Sequence, residues 1–146
     1  AHDSSLNLRC TADLRVLEGA RKNAGIVVNY HTVASGGTHD EYFVAELDFL
    51  TDSLRFRRWT GTVFSLLAKI SGLGLKTEDW YRVTVQTSLA SGSTVQLQAQ
   101  VDGLTDPSVT GTLSLQTTGY LPADGKFGLG TDGALARFSS FTLEST

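Results

Sequence analysis

Residues 41–61 read EYFVAELDFLTDSLRFRRWTG, and their alternation decides the fold. With Thr51-Asp52 as a two-residue turn, Phe49 pairs with Leu54 and Leu47 with Phe56 on one face. On the opposite face Asp48 meets Arg55, Glu46 meets Arg57 and Val44 meets Trp59. Apolar matches apolar and acid matches base in a single register, which specifies a β-hairpin with one buried and one charged face. Exposed cross-strand ion pairs of this kind pin register and contribute roughly 0.2–1 kcal/mol each. A guanidinium pinned in this way is also a preorganised hydrogen-bond donor for hydroxyls. Arg58 falls on the inward side of this hairpin, and the pattern gives no reason for it.

The same alternation runs outward in both directions. In SLNLRCTADLRV, Leu6, Leu8, Cys10, Ala12, Leu14 and Val16 share a face, opposite Asn7, Arg9, Thr11, Asp13 and Arg15. GIVVNYH, TVFSLLAKI, WYRVTVQTSL, STVQLQAQVDG, VTGTLSLQTTG, KFGLG and ARFSSFTLE follow, separated by Gly, Asp, Ser and Thr. Pro107 and Pro122 both fall in expected loops, as proline's exclusion from central ladders requires. About ten strands without crossover helices predict an antiparallel two-sheet β-sandwich. No repeat or linker divides the chain, so residues 1–146 form one domain.

Composition narrows the function classes. Forty per cent hydrophobic residues suit a single substantial core. A net charge of −3 without a Lys/Arg run argues against nucleic acid as a partner. No apolar run approaches the ~20 residues that membrane insertion needs. Methionine is absent even at position 1, so the chain reads as a processed piece excised from a larger protein. One cysteine, Cys10, excludes an internal disulfide, and its alternating neighbours place it in the core.

NAGIVVNY, EYFVAELD, LRFRRWTG, DWYRVTV, VQLQAQVDG and GKFGLGTDGALARFSSFTLE follow one another in an order that resembles concanavalin A-like, laminin-G-like jelly rolls. The chain is similar above all to bacterial carbohydrate-binding modules of the fructan-binding type. That resemblance implies a sugar-holding sheet or loop rim, a secreted or cell-surface setting, attachment to a catalytic domain, and sometimes a structural calcium ion. Three features depart from the family: no further strand precedes Leu6, the loop from Thr32 to Asp40 is longer, and Phe138-Ser139-Ser140-Phe141 stands where Phe-Asp-x-Val is usual. The last change removes an acidic group and weakens the case for calcium.

Glu46-Leu47-Asp48-Phe49 also resembles the catalytic strand of family 16 β-glucanases, with Glu46 matching the nucleophile and Asp48 the assisting carboxylate. The acid/base position carries Leu50 or Thr51 instead of glutamate. Retaining hydrolysis needs two carboxyl groups ~5–5.5 Å apart with one protonated, so the motif is incomplete and catalysis is not expected.

Binding candidates remain. Trp59 lies beyond the charge ladder, Trp80 shares a strand face with Arg82, and Tyr42 and Asn29 occupy polar faces; an outward aromatic ring stacks on the C–H face of a sugar. The expected carbohydrate surface is therefore Asn29, Tyr42, Glu46, Asp48, Arg55, Arg57, Trp59, Trp80 and Arg82. Gln96, Gln98, Gln100 and Asp102 suit either hydroxyl recognition or a solvated outer sheet. His31, His39 and Asp40 bracket a loop without the fixed spacing of a metal site, and His2 reads as a frayed terminus. Noncatalytic binding of a poly- or oligosaccharide leads, a laminin-G-like domain with a protein partner is the alternative, and an unusual glycoside hydrolase comes third.

Overall fold

Alternation becomes strand pairing along the whole chain. The computed structural model describes residues 7–18, 22–34, 37–91, 94–118 and 125–146; Leu6, His2 and Pro122 lie outside them. Ten strands lie among the described residues: β1 Leu8–Glu18, β2 Asn23–Val33, β3 His39–Asp48, β4 Ser53–Trp59, β5 Phe64–Ser71, β6 Trp80–Ser91, β7 Thr94–Gly103, β8 Thr110–Thr118, β9 Lys126–Asp132 and β10 Leu135–Ser145. They form a front sheet ordered β5-β4-β3-β2-β9 and a back sheet ordered β10-β1-β6-β7-β8. Every neighbouring pair is antiparallel. The expected all-β sandwich is the observed one.

The core is the sum of the inward alternations. Cys10, Ala12, Leu14 and Val16 of β1 and Tyr81, Val83 and Val85 of β6 face Ala24, Ile26 and Val28 of β2, Ala45 and Leu47 of β3, and Leu54 and Phe56 of β4; all are fully buried. Each large aliphatic or aromatic side chain contributes about 1.5–3 kcal/mol of transfer free energy. Tyr81 satisfies its buried hydroxyl by accepting the Lys76 backbone N–H at 2.8 Å. Cys10 is core as expected, and burial pushes its thiol up to about 12, far from reactivity.

The decisive hairpin forms with its faces as read but its register two residues away. Glu46 lies opposite Arg55, Val44 opposite Arg57, Tyr42 opposite Trp59 and Leu47 opposite Leu54. The turn spans Phe49 to Asp52 rather than Thr51-Asp52 alone. Two contacts favour the wider turn. Phe49 packs edge-on against Tyr81 of the back sheet, with ring centroids 5.9 Å apart. Asp48 holds the turn from within, accepting Thr51 Oγ1 at 2.6 Å and the Leu50 N–H at 3.2 Å. A shift of two residues leaves every side chain on its own face, so the buried and charged sides survive the change.

Arg58 gains its explanation here. It reaches across the end of the sandwich to the Thr118 carbonyl at 3.2 Å and to Glu41 at 3.5 Å, with its guanidinium 5.3 Å from the Phe43 ring centre. The inward arginine thus ties the front sheet to β8.

Asp52, with φ 53°, closes the turn and organises the segment after β5. Its carboxylate accepts the N–H groups of Gly74 at 2.9 Å and Leu75 at 2.7 Å. Hydrogen bonds to a charged acceptor are worth about 1.5–3 kcal/mol. Asp52→Ala is therefore expected to lower unfolding stability by about 1–3 kcal/mol and to accelerate amide exchange at Gly74 and Leu75. Urea denaturation and hydrogen-exchange NMR read both; unchanged exchange at those amides contradicts the assignment.

Candidate functional site

The outward face of the front sheet carries the charged ladder, and the ladder is largely covered. Glu46 and Asp48 are 3 % and 4 % exposed. This corrects the expectation of exposed ion pairs: the arginines fold over the carboxylates and shut them off from solvent. Arg55 Nε donates to Glu46 Oε1 at 2.8 Å and its Nη1 lies 3.0 Å from Asp48 Oδ2. Arg57 Nε donates to the same Glu46 oxygen, and its Nη2 lies 4.0 Å from Asp132 Oδ2 on β9. Both ion pairs read from the sequence, Asp48 with Arg55 and Glu46 with Arg57, exist, but as diagonals of the shifted register.

Phe64 of β5 lies directly opposite Trp59, and the Arg57 guanidinium sits 4.0 Å from the centre of its ring. A cation over an aromatic face gains about 0.5–2 kcal/mol, and the contact fixes the guanidinium in orientation. Trp59 packs against Phe64 with centroids 4.8 Å apart, Tyr42 meets Phe64 edge-on at 6.0 Å, and Tyr30 stacks on Tyr42 at 5.7 Å. Four aromatic rings therefore run across β2, β3, β4 and β5 beside the charged ladder.

Two depressions share Val27 and Tyr42. The larger, about 330 Å³, is lined by Tyr30, Tyr42, Lys126, Phe127, Gly128 and Leu129. The smaller, about 60 Å³, lies between Tyr42, Glu46, Arg57, Phe64, Gly130 and Asp132. Gly128 helps to make the hollow: a Cβ there would meet nothing within 4 Å. Together they form a groove whose lining combines aromatic rings with a held guanidinium and carboxylates.

Of the sequence candidates, Tyr42, Glu46 and Arg57 line this groove, while Arg55 and Asp48 support it from below. Trp59 packs against Phe64 and is not among the residues that line these two depressions. Asn29 is 2 % exposed and lies in a β-bulge with φ 59°, so it is no part of the surface. Trp80 and Arg82 belong to β6 of the back sheet, where Arg82 pairs with Asp13 at 2.8 Å. They cannot share a ligand with Tyr42. The Gln96, Gln98 and Gln100 row also lies outward on the back sheet.

Tyr30, Phe64 and Asp132 were missed. The extra residue at Asn29 inverts the β2 alternation and turns Tyr30 outward; Asn tolerates the left-handed backbone that this needs. Tyr30 then donates its hydroxyl to Asp40 at 2.5 Å, a bond that raises the phenol pKa. Phe64 was legible in principle, as the aromatic that pairs with Trp59 once β4 and β5 are aligned.

The loop histidines do not converge. His31 Nδ1 is 2.7 Å from the Asn29 carbonyl, whereas His39 Nε2 is 2.8 Å from Glu41. Among the described residues no group of three or more His, Cys, Asp or Glu is placed to hold a metal ion. Ser139, which stands where the resemblance would place an aspartate, pairs with Asp13, and Ser140 after it lies at the β10 bulge with φ 59°.

No protein-family model and no curated protein matches this chain. Solved structures do. The carbohydrate-binding module CBM66 from Bacillus subtilis superposes with a TM-score of 0.70 at 16 % identity, covering 95 % of this chain and 75 % of that one. Chicken Galectin 2 superposes with 0.54 at 10 %, covering 94 % and 89 %. The PL-14 alginate lyase from Aplysia kurodai gives 0.57 at 9 %, covering 100 % and 72 %. At such identities the likeness establishes the fold: the concanavalin A-like jelly roll implied by the sequence is the one present.

Two predictions follow from the ladder and its neighbour. Removing one partner of a buried ion network leaves an uncompensated charge at about 3–5 kcal/mol. Glu46→Ala is expected to lose that much in chemical denaturation; a loss no larger than that of an exposed ion pair would contradict the buried placement. The hydrogen bond to Glu41 raises the His39 pKa above 6.5, while the bond from His39 lowers that of Glu41 below 4.5. The His39 contribution is full below the ordinary imidazole value and lost as pH rises through its own higher one. That of Glu41 is full above the ordinary carboxylate value and lost as pH falls through its own lower one. The pair therefore stabilises throughout the interval between them. In an NMR titration Glu41→Gln should bring His39 back toward 6.5; an unmoved midpoint excludes this pairing.

Proposed function

We propose that this domain is a noncatalytic carbohydrate-binding module whose groove crosses the front sheet. The observation that carries the reading is the row Tyr30, Tyr42 and Phe64 beside an arginine already fixed by Glu46 and Phe64. Sugar rings stack their C–H faces on such aromatics, and a pre-oriented guanidinium donates to hydroxyls with little further ordering cost. That a solved structure of this fold is itself a carbohydrate-binding module supports the same reading. Glu46 gives hydrolysis no support, because two guanidiniums hold its carboxylate and it is 3 % exposed. Leu50 and Thr51, one of which fills the expected acid/base position, are both held in the turn by Asp48. The module suits a secreted or cell-surface parent that carries a catalytic domain.

A protein partner is the second reading. Val63 and Leu66 stand 55 % and 54 % exposed on and before β5, beside the groove, and give that reading its apolar surface.

A glycan array on the isolated domain, with and without chelator, separates the two. Glycan binding that falls about tenfold in Tyr42→Ala and Phe64→Ala, with circular dichroism unchanged, is expected. Binding equal to that of the native domain in both variants removes the groove from consideration, and silence across the array favours the protein partner.

A further inference from the structure

Seven arginines lie among the described residues, and five have a carboxylate within 4.0 Å. Arg9 pairs with Glu144, Arg55 with Glu46 and Asp48, Arg57 with Glu46 and Asp132, Arg58 with Glu41, and Arg82 with Asp13. The other two, Arg15 and Arg137, have no such partner there, and they are each other's cross-strand neighbours on β1 and β10.

Like charges directly opposite on adjacent strands destabilise a sheet. A second cost accompanies the first: Arg15 Nε is buried without a hydrogen-bond partner, and an unsatisfied buried donor is unfavourable. The nearby carboxylate of Asp13 is engaged by Arg82 through two bonds, Nε to Oδ1 at 2.8 Å and Nη2 to Oδ2 at 3.1 Å. Its ion pair is with Arg82, not Arg15. An oxyanion set between the two guanidiniums offsets the like-charge cost through charge-assisted hydrogen bonds.

The other neighbour of Arg15 is Trp80 of β6, in direct register on the same outward face. Its backbone N–H is held by Thr105 Oγ1 at 2.9 Å, and its carbonyl accepts the Leu104 N–H at 2.9 Å, so the residue is anchored. Arg137, Arg15 and Trp80 thus form one row over three adjacent strands, which lie about 4.8 Å apart. Two cations and an indole in sequence fit a charged sugar: the ring on the indole, its acidic substituent on the arginines.

We propose that the outward face of the back sheet carries a second saccharide site, specific for sugars bearing a carboxylate or sulfate, with Arg15 and Arg137 clamping the oxyanion and Trp80 stacking on the ring. It lies on the opposite sheet from the groove and does not depend on it.

Calorimetric titration with oligogalacturonate, heparin-derived oligosaccharide and a neutral oligosaccharide of matched length tests the proposal. The native domain is expected to bind one or both acidic series, more weakly as salt rises. Arg137→Gln, at an exposed position where refolding is not at stake, should weaken that binding about tenfold. Trp59→Ala, on the front sheet, should leave it unchanged. Binding of the uronate series alone identifies carboxylate as the oxyanion, and of the heparin series alone, sulfate. Acidic-sugar affinity equal to native in Arg137→Gln overturns the proposal, as does no binding of either acidic series up to about 10 mM.

Discussion

One carboxylate oxygen organises the front sheet. Glu46 Oε1 receives Nε from both Arg55 and Arg57, so a residue of β3 locks two residues of β4 in place. Burying such a network brings no large stability by itself, since desolvation offsets much of the attraction. It does fix geometry. The Arg57 guanidinium is held 4.0 Å from the centre of the Phe64 ring, Phe64 packs against both Trp59 and Tyr42, and the aromatic row along the groove follows. The ladder that resembles a glucanase motif thereby becomes scaffolding for the groove.

The opposing faces of the sandwich use arginine in contrasting ways. On the front sheet each guanidinium among the described residues is matched by acid. On the back sheet Arg9 and Arg82 are matched in the same manner, whereas Arg15 and Arg137 face one another. Two surfaces with different charge balance on one small domain would let it engage two parts of a polysaccharide, or two polysaccharides, at once. Linking two modest sites in this way raises avidity without any new contact.

The sandwich was legible because each strand has one apolar and one polar face, and that alternation is a local property of the sequence. Strand count, the core position of Cys10 and the two faces of the 41–61 hairpin all follow from it. The register did not, because shifting by two preserves both faces; the packing of Phe49 against Tyr81, a contact with a distant strand, and the Asp48 bonds within the turn select the wider one. Tyr30 was hidden by the bulge at Asn29, where one inserted residue inverts the parity on which face assignment rests. Trp80 and Arg82 were grouped with Trp59 because alternation says which face a residue takes but not which sheet its strand joins. That choice is made by pairing between strands far apart in the chain.

The central claim is that saccharide docks along the aromatic row of the front sheet. Backbone amide mapping by two-dimensional NMR, during titration with whichever neutral glycan the domain prefers, tests it most directly. The account predicts shifts concentrated at Tyr30, Tyr42, Arg57, Phe64 and the β9 glycines Gly128 and Gly130, with β7 and β8 undisturbed. Shifts confined to the loop ends of the sandwich or to the back sheet, with those six amides unmoved, would contradict it.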